Sequence, residues 1–146
     1  MLTPETIQRH FDSKGIKYMQ SPDGDRFALS WTLGRHRVRT EVLLHDDGEF
    51  VIMRTVDLTC IPHGHPARAS ILDRFNEFSF KYRVLKAMID PDDGEVTVTH
   101  ELWCDGGPVD EDSFGRRYHG FLRFTETALD ALDECMRRAD PLSNAC

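Results

Sequence analysis

From Arg26 to Met53 the chain alternates between two faces with a period of two, broken only by turns, and that pattern constrains the fold more than any other feature. Phe27, Leu29, Trp31 and Leu33 oppose Ala28, Ser30 and Thr32; after Gly34, Val38, Thr40, Val42 and Leu44 oppose Arg37, Arg39, Glu41 and Leu43. His45-Asp46-Asp47-Gly48 supplies an Asp-Gly reversal, a strong hairpin signal. The third run, Phe50 to about Leu58, is apolar on both faces, as a central strand requires. Pro62, Gly64 and Pro66 then crowd a loop.

Helical spacing frames these strands. Thr3-Pro4-Glu5 has a capping hydroxyl and a first-turn proline, Ile7 and Phe11 share a face, and Gly15 is a stop signal, so the residues predict a helix over 4–14. Ser21 to Asp25 reads as a loop. A short second helix fits 67–78, where Ala69, Ile71, Leu72, Phe75 and Phe78 recur. Lys81 to Ile89 alternates again and turns through Asp90-Pro91-Asp92-Asp93-Gly94 into Val96, Val98 and Leu102. A long helix is expected over 111–138, with Gly115 and Gly120 favouring a kink or split near Gly120 to Thr125. The expected architecture is α+β: a single antiparallel five-stranded sheet in the order α-β-β-β-α-β-β-α, one domain over 1–139 and a flexible tail over 140–146.

The formal net charge of −7 disfavours broad affinity for a nucleic-acid backbone. No run approaches the roughly 20 apolar residues that span a bilayer, and the polar start predicts no signal peptide. Cys60, Cys104, Cys135 and Cys146 are scattered without a CxxC pair, which suits reduced thiols in a cytoplasm.

Several clusters invite a chemical reading. Cys60-Ile61-Pro62-His63-Gly64-His65 brings one sulfur and two imidazoles together, and a metal- or thiol-dependent enzyme could be built on Cys60, His63 and His65. A structural zinc site needs four ligands, and nothing in the spacing brings His100, Cys104 or His119 to this loop, so a proline-rich turn with exposed histidines is the preferred reading and no metal or cofactor is expected. Cys104 lacks any family signature for a nucleophile, and Asp90 to Glu95 lacks the twelfth-position glutamate of a calcium loop. Arg35, Arg37 and Arg39 would line one face of a strand, extended by Lys81 and Arg83 if their strand lies nearby, as an anion-binding stripe or as a solvated, ion-paired face.

The apolar surplus is more suggestive. The second helix spreads Ile71, Leu72, Phe75 and Phe78 over an arc broader than one small face needs, which predicts contact with a partner or a second copy.

With the element order, the stretch Leu72-Asp73-Arg74-Phe75-Asn76, then Phe80-Lys81-Tyr82, Asp90 through Gly94 and the Phe114 to Leu132 helix, the chain resembles the YbjN family, described as a putative bacterial sensory transduction regulator, whose fold is that of the type III secretion chaperones. The resemblance spans Thr3 to about Arg138. It implies a chaperone-like or regulatory α+β domain, non-enzymatic and homodimeric, that binds a protein partner or client peptide.

Overall fold

The computed structural model describes residues 1–104 and 106–140. Three helices and six strands form two layers, a single antiparallel sheet with the helices on one face. The elements are α1 (Pro4–Ser13), β1 (Met19–Gln20), β2 (Arg26–Leu33), β3 (His36–His45), β4 (Phe50–Val56), α2 (Arg68–Tyr82), β5 (Leu85–Ile89), β6 (Val96–Trp103) and α3 (Glu111–Ala139). The strand order is β1-β2-β3-β4-β6-β5, which makes β4 an inner strand as its two apolar faces predict.

The expected count of five strands is corrected to six. The extra strand, β1, pairs Met19 with Ala28 and Gln20 with Phe27, and two residues are too few to carry a readable period. The expected element 140–146 lies outside the described residues beyond Asp140.

Register explains burial. Leu29↔Thr40, Phe27↔Val42 and Trp31↔Val38 place the inward residues of β2 and β3 in common rows, continued by Thr40↔Thr55, Val42↔Met53 and Met53↔His100. The helices cover this side. Thr3 caps α1 by accepting from the Thr6 amide, and Ile7 and Phe11 turn inward. Phe11 then meets Phe27, Phe114 and Tyr118 edge-on, with centroids 6.2, 5.8 and 5.4 Å away. The aromatic cluster ties α1 and α3 to the sheet. At its centre Tyr118 sits 2.9 Å from both the Trp31 indole nitrogen and the Thr40 hydroxyl. Burial pushes the phenol well above its ordinary range despite the hydrogen bonds with Thr40 and Trp31.

The β3–β4 turn is a close fit. Asp46 and Asp47 adopt positive φ, and Gly48 (φ 84°) lies against the Leu2 backbone so closely that a Cβ there would collide with the Leu2 carbonyl. The Leu2 amide donates to the Gly48 carbonyl at 2.8 Å. Only glycine fits this crossing.

Two helices differ from expectation. α2 continues through Tyr82, whose ring packs edge-on against Phe124 (5.2 Å), so Lys81 and Tyr82 close the helix, Arg83 and Val84 form a turn, and the strand starts only at Leu85. α3 runs as one helix without the expected split: Asp110 caps it, Thr125 bonds back to the Phe121 carbonyl, and eleven of its side chains are buried.

Candidate functional surfaces

The border formed by α2 and β5 collects most of the exposed apolar surface. β5 pairs on one side only, with β6, in the register Leu85↔His100 to Ile89↔Val96. Its other edge is unpaired by any described strand. On α2, Leu72, Asn76 and Phe80 are spaced four apart and all face outward; Phe80 is 82% exposed and Leu72 41%. The chain leaves α2 through Arg83, held at φ 43°, which turns Val84 into solvent at 57% exposure. Met88 projects from the opposite face of β5. At the end of β6, three residues beyond the partner of Leu85, Trp103 is also exposed, with its ring 4.4 Å from that of Phe50. The strand edge is therefore flanked by large side chains on both sides.

Of the four α2 residues singled out from the sequence, Leu72 reaches solvent and Phe78 is half-buried, with its ring edge-on to Phe124 at 6.0 Å. Ile71 and Phe75 are core residues, fully buried beneath the helix. Phe80, Tyr82, Val84 and Met88 were missed as surface candidates. A wheel drawn for a helix reaching Tyr82 places Phe80 beside Leu72, which is the signal that could have found it.

The arginine stripe divides. Arg37 and Arg39 lie on the outer face of the sheet and border, with Ser30 and Thr32, a shallow depression of about 390 Å³. Arg39 is engaged by Asp57 at 2.8 Å. Arg35 precedes β3 and reaches instead to Asp133 of α3 (3.2 Å), beside the His36–Asp130 contact at 2.7 Å. Lys81 and Arg83 belong to the end of α2, not to this stripe. Further along the same outer face, Glu41 is almost fully buried between Arg26 and Arg54. Burial would raise its carboxyl pKa, but the hydrogen bonds from Arg26 and Arg54 outweigh that and hold it below the usual range.

The Cys60 loop does not converge. Cys60 forms a β-bridge with Glu95, His63 Nε2 lies 2.6 Å from the Pro91 carbonyl, and His65 Nδ1 accepts from the Ala67 amide at 3.1 Å. Each group serves a turn. Among the described residues, no three His, Cys, Asp or Glu side chains cluster closely enough to hold a metal ion. Cys104 is buried at the end of β6.

Among the described residues no helix is long and apolar enough to cross a membrane. Several solved structures share the fold, two of them as follows. YbjN of E. coli, described as "a putative transcription regulator", is 15% identical with a TM-score of 0.66, covering 89% of this chain and 91% of its own. An uncharacterized protein from Methanothermobacter thermautotrophicus is 17% identical with a TM-score of 0.53, over 93% and 98% of the two chains. No curated protein matches the chain. Residues 3–134 match the family YbjN, "Putative bacterial sensory transduction regulator", and the chain belongs to that family.

Proposed function

We propose that this is a non-enzymatic, chaperone-like regulatory domain that binds protein in the cytoplasm, and that two copies associate through the α2–β5 border. The observation that carries the reading is the coincidence of an open strand edge with Phe80 and Val84, the two most exposed large apolar residues of that border. An unpaired edge is a template for another strand, and antiparallel pairing of β5 with its symmetry mate would merge two sheets into one. The same two-fold arrangement sets the α2 helices side by side and removes Leu72 and Phe80 from water. It also brings Asp73, in the first half of one helix, towards Lys81 and Arg83 at the end of the other.

Met88→Cys, in a Cys60→Ser, Cys146→Ser background, tests this geometry. A short bismaleimide is expected to link two copies at low protein concentration. A cysteine at Ser30, on β2 at the far side of the sheet, should not link. Equal cross-linking at both positions would contradict the proposed border.

A further inference from the structure

Between the end of α1, the middle of β2 and the first half of α3 lies a cavity of about 460 Å³. That size falls within the range of small-molecule sites, ~300–1,000 Å³. One wall of it is a close contact between helices. At Gly115 a Cβ would run into the His10 ring, so α1 leans on α3 at this point, and His10 is held edge-on to Phe114 at 5.4 Å.

The interior of the cavity is apolar. Ile16, Trp31, Tyr118 and Leu122 line it, and the indole N–H of Trp31 is already satisfied by the Tyr118 and Thr40 oxygens at 2.9 and 3.2 Å. Rings and aliphatic carbons are thus presented around an already paired indole N–H, and His10 and His119 complete the lining as its two imidazoles.

The rim is cationic. Lys14 and Arg116 border the opening, and among the described residues Lys14 makes no ion pair while Arg116 donates only to the Ser113 hydroxyl at 3.1 Å. Asp112 is the one carboxylate in the lining, and neighbouring Glu111 is engaged by Ser13 at 2.9 Å. In a chain of net charge −7, the lining itself holds two cations against one acid, while Asp110 and Glu111 of the α3 start lie close outside it.

We propose that this cavity binds a small amphipathic monoanion: a ring or branched hydrocarbon seated on Trp31 and Leu122, with a carboxylate held between Lys14 and Arg116. Apolar burial supplies the affinity and the two cations select the charge. The site shares no residue with the α2–β5 border, so the two readings can fail separately.

The probe is 4-isopropylbenzoate, with 4-isopropylbenzamide as its neutral counterpart, followed through the Trp31 indole N–H signal in proton–nitrogen spectra. Trp103→Phe leaves Trp31 as the only tryptophan and assigns the resonance. The acid should shift this signal saturably, and the amide should bind about tenfold more weakly, equivalent to about 1.4 kcal/mol. Lys14→Gln with Arg116→Gln should erase the preference while leaving the rest of the spectrum in place; Lys14→Gln alone should reduce it. Equal binding of acid and amide, an unsaturable response, or a preference unchanged in both variants would overturn the proposal.

Discussion

Glu41 and Arg54 face each other across β3 and β4 on the side of the sheet that the helices leave bare, joined by two hydrogen bonds of 3.0 and 2.9 Å. Arg26 binds the other carboxylate oxygen, so a side chain 3% exposed is satisfied by two cations whose stems cover it. Glu41→Gln keeps the shape and removes the charge. The expected cost is about 1–3 kcal/mol at neutral pH, read from urea unfolding. Because folding lowers the Glu41 pKa, its contribution is complete above the unfolded-state value and disappears as pH falls through the folded one. The Gln variant should therefore lose less stability than wild type on acidification.

His100 is the opposite case. It is 5% exposed on the inner face, its Nδ1–H donates to the Val84 carbonyl at 3.1 Å, and its Nε2 is buried without a hydrogen-bond partner among the described residues. Burial lowers its pKa, against the raising effect of the Val84 carbonyl. The unfolded chain then takes up the proton first, so stability is whole above the ordinary histidine range and declines as pH falls through it. His100→Leu should flatten that part of the pH–stability curve. An unchanged curve would remove His100 from the account.

Gly48→Ala tests the turn against the N-terminal segment. A positive φ and a collision with the Leu2 carbonyl both oppose any side chain. The loss should exceed ~1 kcal/mol and appear as a lower Tm. Gly64→Ala, where a Cβ meets open space, should change little.

Phe75 and Phe80 lie five residues apart with opposite fates. Phe75→Ala should cost about 3–5 kcal/mol of stability, as for other buried phenylalanines. Phe80→Ala should leave monomer stability within about 0.5 kcal/mol and weaken self-association instead. Chemical unfolding at low protein concentration, where monomer dominates, separates the two effects.

The strands were legible where one face is buried along the whole run, because register then repeats the same choice at every second residue. β1 was not, since Met19 and Gln20 gain their place from the partner strand and not from any pattern of their own. Lys81 and Tyr82 fit a strand equally well by alternation; the Phe124 ring packs on Tyr82 at the end of the helix, and that contact is remote in sequence. α3 tolerates Gly115 and Gly120 because the buried stripe from Phe114 to Cys135 outweighs their propensity cost. Helical spacing singled out α2 but not its outward side: Ile71 and Phe75 are as apolar as Leu72 and Phe80, and only the sheet beneath separates them. The cavity beside Trp31 was invisible, for its walls come from three distant segments.

Sedimentation velocity of the wild-type protein and of Phe80→Asp, across a wide concentration range, tests the account most directly. The wild type should sediment as a dimer that dissociates on dilution, and the variant as a folded monomer throughout. A wild-type protein that stays monomeric at the highest concentration, or a Phe80→Asp dimer as tight as wild type, would contradict association through the α2–β5 border.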